Sequence, residues 1–223
     1  MSAAPESVPS KGLVRDLGHF PYQEAFEVQK QVLETVVSGG ADTLILVEHD
    51  PVLTLGASFH AENLLRTAEE YSAMGIEVLP TDRGGDVTYH GPNQLVAYPI
   101  FDLNRHGRDL HKYLRALEEA VIVTLAHFGL DGYRFPPHTG VWVNGKKICA
   151  IGIKVKRWVS MHGIALNCNN DLSVFDSFVP CGIVGYGVTS LSQELGREVT
   201  IDEVKPVLAE SFASAFALSF GDR

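Results

Sequence analysis

The sequence predicts a single α+β domain built on a mixed β-sheet. Strand-like hairpins alternate irregularly with helical stretches, not in the regular βαβ series of a doubly wound sheet. A length of 223 residues suits one generous domain, able to bury about 70–75% of its unfolded surface. No repeat, low-complexity segment or internal linker divides the chain. Hydrophobic content of 45% and charged content of 20% describe an ordinary soluble globule.

Residues 1–10 read as a disordered tail, leaving residues 11–223 as the folded domain. Tyr22 to Val37 carries Phe26, Leu33, Val36 and Val37 at helical spacing and stops at Ser38-Gly39-Gly40. Leu44 to Val47 is a buried-strand run, followed by Glu48-His49-Asp50-Pro51 and a short strand through Leu55. Arg66 to Met74 reads as a helix ended by Gly75, and Ile76 to Leu79 as a strand. Val87 to His90 and Gln94 to Ile100 read as a strand pair turning at Gly91-Pro92-Asn93.

Asp109 to Phe128 is the clearest amphipathic helix, with Leu110, Leu114, Leu117, Val121 and Leu125 on one face. Val141 to Val143 and Lys147 to Val155 form a hairpin around Asn144-Gly145, a strong two-residue turn. Met161 to Leu166 is another strand. Thr189 to Leu195 is a short helix ended by Gly196. Thr200 with Glu203 forms a capping box for the last helix, whose start Pro206 is expected to delay.

The formal charge of −9 argues against a partner recognised mainly through nucleic-acid phosphates. Against that background Lys146, Lys147, Lys154, Lys156 and Arg157 form a local basic island. It reads equally as a dock for an acidic partner or as a solvated strand face. The first eleven residues lack the apolar run of a signal peptide, and no apolar stretch is long enough to span a bilayer. Cys149, Cys168 and Cys181 have neither metal-ligand spacing nor the pattern of a secreted disulfide framework. A cytoplasmic chain with reduced thiols is expected, with no membrane or nucleic-acid partner.

The richest segment is Arg83-Gly84-Gly85-Asp86-Val87-Thr88-Tyr89-His90-Gly91-Pro92-Asn93-Gln94. Paired glycines let the backbone approach a ligand closely. Arginine and histidine beside them supply donors for a carbonyl, carboxylate or phosphate. Gly-Gly alone would be a tight hairpin; with Arg83, Thr88 and His90 in one run, a binding loop is expected.

Cys149 and Cys168 lie inside strand-like runs and read as core residues. Cys181 sits between Pro180 and Gly182, which present its thiol at a turn, and loop thiols are the reactive ones. A nucleophilic thiol needs a nearby cation or base, and Lys147 is the candidate. Strand alternation points Lys147 the same way as Ile151, Ile153 and Val155, at the edge of an apolar face. A bulge at Gly152 would spoil that register, and a surface charge is the ordinary role of a lysine. Among the histidines His90 belongs to the loop, His49 caps a strand end before Asp-Pro, and His162 lines the same cleft. His19, His60, His106, His111, His127 and His138 read as surface or structural. No pair has zinc-ligand spacing.

Taken together, Arg83 to Pro92 resembles the signature of the lipoyl(octanoyl) transferases, which move an octanoyl group from acyl carrier protein to a lysine of a lipoyl domain. The resemblance continues through Glu48 to Gly56, Gly140-Val141-Trp142, Lys146 to Gly152, His162 to Asn167 and Pro180-Cys181-Gly182. It spans most of residues 13–215. It implies a mixed sheet flanked by helices, similar to the catalytic domains of biotin and lipoate protein ligases, with residues 11–223 as the catalytic domain. It places the nucleophile on Cys181 and the catalytic lysine on Lys147. Acyl-substrate contacts fall on Arg83, Gly84, Gly85, Asp86, Val87, Thr88, Tyr89 and His90, on Ala150, Ile151 and Gly152, and on Gly163, Ile164 and Ala165. No cofactor or metal is implied.

The implied donor is octanoyl-acyl carrier protein. The implied acceptors are lipoyl domains of 2-oxoacid dehydrogenase E2 subunits and the glycine cleavage H protein. One departure is Gly-Pro-Asn-Gln where the family usually has Gly-Pro-Gly-Gln; Asn93 tolerates a left-handed backbone, so the turn is expected to survive. The nearest rival is an ATP-dependent lipoate or biotin protein ligase, which has no need of Cys181. A non-catalytic carrier- or lipoyl-binding module and a cysteine hydrolase using Cys181 and His90 are further alternatives.

Overall fold

A computed structural model of the chain describes residues 10–180 and 186–221. Strand β1 (Ser10–His19) leads into α1 (Tyr22–Val37), β2 (Asp42–Glu48), β3 (Val52–Leu55), α2 (Ala68–Ala73), β4 (Glu77–Pro80), β5 (Val87–His90) and β6 (Gln94–Ile100). The chain continues through α3 (Leu110–His127), β7 (Tyr133–Phe135), β8 (His138–Val143), β9 (Lys146–Lys156) and β10 (Val159–Asn167). It ends with α4 (Leu191–Leu195), α5 (Ile201–Phe216) and β11 (Leu218–Phe220).

The large sheet has the order β11-β1-β2-β6-β10-β9-β8-β7 and the small one β4-β3-β5. Pairing is parallel among β11, β1 and β2 and antiparallel across the rest of the large sheet. The α+β architecture with mixed sheets flanked by helices is therefore present. Helix α1 covers one face, packing Leu33 and Val36 against Ile45, Val47, Val96 and Tyr98. Helices α3 and α5 cover the other, with Leu117, Val121, Leu208 and Phe212 against Leu44, Leu95, Ile148 and Leu166. The small sheet and α2 share a third core around Leu53, Tyr71 and Val87.

Local signals set several boundaries. Thr67 with Glu70 and Thr200 with Glu203 form reciprocal capping boxes on α2 and α5. Helix α5 starts at Ile201 with Pro206 inside it, so the expected delay does not occur; the cap fixes the start. Asn144 and Gly145 both have positive φ, the geometry a two-residue hairpin turn needs. Helix α3 differs from expectation at its first turn: Leu110 is 41% exposed, and the buried face runs through Tyr113, Leu117, Val121 and Leu125.

The larger correction concerns β5 and β6, which are not a hairpin pair. Strand β5 pairs with β3 in the small sheet, whereas β6 lies between β2 and β10 in the large one. Every residue of β6 is buried, as a central strand covered on both faces requires. Gly91-Pro92-Asn93 therefore carries the chain from one sheet to the other. Asn93 takes a left-handed φ of 63°, as its residue type allows, and its N–H donates to Glu48 Oε1 at 2.7 Å.

Candidate active site

Between the two sheets lies a cavity that opens to solvent. Tyr22 of α1, Arg83 to Gly85, Thr88 and His90 of β5, and Tyr98 of β6 form one side. Ala150 to Gly152 of β9 and His162 to Ala165 of β10 form the other. Strand alternation divides the expected binding loop: Thr88 and His90 face the cavity, while Val87 and Tyr89 face the core of the small sheet. Asp86 is turned away as well. Its carboxylate accepts from the His60 and Val87 N–H groups at 3.1 and 2.9 Å and from the Asn63 amide, so it holds the loop's shape.

The loop is pinned on both sides. Arg83 is 5% exposed; its Nε and Nη2 donate to Thr54 Oγ1 at 3.1 and 2.9 Å, and Nη2 donates to the Thr54 carbonyl. The Gly84 N–H donates to the Ile153 carbonyl of β9 at 2.8 Å. Gly85 has a φ of 90°, a conformation costly to any side chain. A Cβ at Gly152 would stand 2.9 Å from the Gly84 carbonyl, so glycine there lets loop and strand close on each other.

Buried aromatic and imidazole rings line the cavity, and His49 packs against three of them. His49 donates from Nδ1 to the Phe20 carbonyl at 2.7 Å; its Nε2 is then an acceptor, and the Tyr98 hydroxyl donates to it at 2.8 Å. Burial holds the His49 pKa down at about 4. His90 stacks on Tyr22 at 5.9 Å and lies edge-on to His49 at 5.8 Å. Burial first, then the adjoining His49 ring and the Arg83 charge, press its pKa well below the ordinary 6.5. His162 donates from Nε2 to Asp82 at 2.8 Å, yet burial still lowers its pKa. Tyr22 and Tyr98 carry no signal in the sequence, because each reaches the cavity only through nonlocal packing.

Beyond Ala150 and Ala165, which face each other across β9 and β10, the cavity adjoins a small recess. Lys147, Gln94, Asn167 and Pro180 line it. Lys147 is 7% exposed, with Nζ 5.3 Å from the centre of the Trp142 ring. Its N–H donates to the Gly187 carbonyl and its carbonyl accepts from the Thr189 N–H, both at 3.0 Å. The register irregularity between β8 and β9 falls at Lys147–Cys149, while Gly152 pairs regularly with Gly163. Lys147 and Ile151 also share a second, open cleft with Leu114, His138 and Thr139, a location not foreseen for His138. Cys181 lies outside the described residues, and Pro180 is the last described residue before it. Cys149 and Cys168 are fully buried and burial raises both thiols, Cys168 to about 12.

The basic island does not hold together as one patch. Lys146 and Lys147 sit at the opposite end of β9 from Lys154 and Lys156. Lys154 pairs with Asp82, and Lys156 and Arg157 pair with Glu34. Those carboxylates come from elements distant in sequence, and Lys147 is buried, so the island is divided into separately paired cations. Among the described residues no three His, Cys, Asp or Glu side chains are arranged to hold a metal ion, and no helix is long and apolar enough to cross a membrane.

Residues 21–213 match the family model described as the lipoyl protein ligase A/B catalytic domain. The chain is 52% identical over 198 residues to an octanoyltransferase of Rubrobacter xylanophilus, covering 87% of this chain and 89% of the relative. Its fold is similar to a crystal structure of lipoate-protein ligase A bound with ATP: the TM-score is 0.78 at 18% identity, covering 96% of this chain and 88% of the other. A biotin protein ligase from Aquifex aeolicus is more distant, with a TM-score of 0.51 at 14% identity over 92% of this chain and 68% of that one.

Proposed function

The chain belongs to the lipoyl protein ligase A/B catalytic domain family, on its octanoyltransferase side, and from that premise we propose how it transfers the acyl group. The donor is octanoyl-acyl carrier protein. The acceptor is a lysine of a lipoyl domain, as carried by 2-oxoacid dehydrogenase E2 subunits and the glycine cleavage H protein. The carrying observation is that the cavity shares Thr88, Ala150 and Ala165 with the recess that buried Lys147 and Pro180 line.

The octanoyl chain occupies the cavity against Ala150, Ile151, Ile164 and Ala165, under the Arg83–Gly85 loop. Lys147 Nζ takes the proton of the Cys181 thiol, and the thiolate attacks the donor's thioester carbonyl. The bond to the carrier's sulfur breaks, and the carrier thiolate leaves with the proton from Lys147. The neutral amine of the acceptor lysine then attacks octanoyl-Cys181, Lys147 takes its proton, and the Cys181 thiolate leaves as the amide forms. The burial of Cys149 and Cys168 in the core supports Cys181 as the nucleophile.

An ATP-dependent ligase is not favoured: the ligase likeness is one of fold at 18% identity, whereas the named transferase is 52% identical. The test is a transfer assay with octanoyl-acyl carrier protein and a lipoyl domain, followed by the mass of the domain. Octanoylation without ATP is expected. Modification only when ATP and free octanoate replace the thioester would overturn the proposal.

A further inference from the structure

Between the cavity and the Lys147 recess runs a chain of side-chain amides with its direction set at one end. The Thr189 carbonyl can only accept, so Asn167 turns its Nδ2 toward it at 3.0 Å. Asn167 Oδ1 is then an acceptor, and it takes hydrogen bonds from Gln94 Nε2 at 2.9 Å and Asn170 Nδ2 at 3.1 Å. Gln94 consequently presents Oε1, not its amino group, to His90 Nδ1 at 3.0 Å. An amide oxygen cannot donate, so Nδ1 carries a proton, and in the neutral ring Nε2 keeps its lone pair. All four side chains are buried, Gln94 at 2% exposure and Asn167 at 4%. The far end of the chain touches the acyl-transfer machinery, since the Thr189 N–H is bonded to the Lys147 carbonyl.

We propose that Gln94 and Asn167 are positioning residues for the acyl transfer, holding His90 as the Nδ1–H tautomer at the cavity wall and coupling it to the main chain beside Lys147. The inference rests on the acyl-transfer reading and adds residues to that site. Its chemical consequence, in the neutral ring, is an Nε2 that accepts a hydrogen bond, suited to the N–H of an entering amine or an amide of the donor's arm. The surroundings favour the neutral ring. Tyr22 of α1 stacks on it, His49 lies edge-on, and Arg83 and His162 are the further titratable or cationic groups acting on it.

Two variants separate this from a merely structural role. Gln94→Glu keeps an acceptor for His90 Nδ1 but loses the donor to Asn167, and its carboxylate favours the imidazolium. Asn167→Asp keeps the acceptor for Gln94 but loses the donor to Thr189. ¹⁵N NMR of the histidine rings is expected to show His90 of the wild type protonated at Nδ1 only. In Gln94→Glu it is expected to titrate at least one pH unit higher. In Gln94→Ala, which removes the acceptor at Nδ1, it is expected to show both tautomers, whereas Asn167→Asp should keep the Nδ1–H tautomer, since a carboxylate can only accept from Gln94 Nε2. Each variant should lose roughly tenfold or more in kcat/KM, the acid limb of the pH profile moving with the His90 titration in Gln94→Glu.

Folding is checked by circular dichroism, and Gln94→Ala provides a variant without new charge. A His90 tautomer and titration unchanged in folded Gln94→Ala would overturn the inference. So would kinetics within twofold of wild type. A wild-type protein that fails to transfer octanoyl would instead remove the underlying reading, while leaving the NMR result interpretable by itself.

Discussion

Lowering the pH from 7.5 to 5 should destabilise this fold by a calculable amount through His49. The ring is fully buried, donates to the Phe20 carbonyl and accepts from Tyr98, and its pKa is held at about 4 against 6.5 for an ordinary imidazole. Between those values the unfolded chain binds a proton that the folded chain refuses. Stability is therefore fully present above about pH 6.5 and falls as the pH drops toward 4. At ~1.4 kcal/mol per pH unit and one proton, the loss at pH 5 relative to pH 7.5 is about 2 kcal/mol. For a chain of this length that lowers Tm by about 4–8 °C.

His90 and His162 are lowered in the same direction and can only steepen the slope. The assay is urea denaturation followed by circular dichroism at several pH values, in wild type and His49→Asn. Asparagine retains a donor for the Phe20 carbonyl but cannot titrate. The variant should lose about one proton's worth of slope between pH 5 and 6.5. A slope identical in the two proteins, or no pH dependence in wild type, would refute the reasoning.

Thr54→Val removes the hydroxyl that accepts twice from buried Arg83. It should cost roughly 2–3 kcal/mol in thermal denaturation, with Thr54→Ser close to wild type, and a change under 1 °C in the valine variant would count against the clamp. Gly152→Val drives a side chain toward the Gly84 carbonyl and Arg83, parting loop from strand. It should raise KM for the octanoyl donor by roughly tenfold or more in a steady-state assay, and an unchanged KM would separate this contact from substrate binding. Reversing Lys154 and Lys156 to glutamate should change KM for the carrier substrate by less than about twofold, because Asp82 and Glu34 already pair with them. A large increase would restore the docking role.

What the sequence discloses about this protein follows the range of the interactions involved. Helices α1 and α3 and the Asn144-Gly145 hairpin are written in local periodicity and turn chemistry, and they form where expected. Strands β1, β7 and β11 leave little trace, since β1 is largely exposed and the other two are three residues long. The pairing of β5 with β3 is invisible for another reason: His90 and Gln94 are near neighbours in sequence, and nothing local says that a sheet boundary falls between them. The site divides in the same way. The Arg83-Gly84-Gly85 loop announces itself because a glycine pair beside an arginine is chemically unusual. Tyr22, Tyr98 and the Gln94–Asn167–Thr189 chain do not, because each becomes part of the site only when β6 and β10 lie side by side.

The central claim is that octanoyl passes through a thioester on Cys181 with Lys147 moving the protons. Intact-protein mass spectrometry after mixing with octanoyl-acyl carrier protein, without ATP, tests it most directly in wild type, Cys181→Ser and Lys147→Ala. The account predicts one octanoyl adduct on wild type that disappears as a lipoyl domain gains the same mass. It predicts no thioester on Cys181→Ser and a strongly slowed adduct on Lys147→Ala. Transfer to the lipoyl domain that proceeds in Cys181→Ser at the wild-type rate, or an adduct on Cys149 or Cys168 instead, would contradict it.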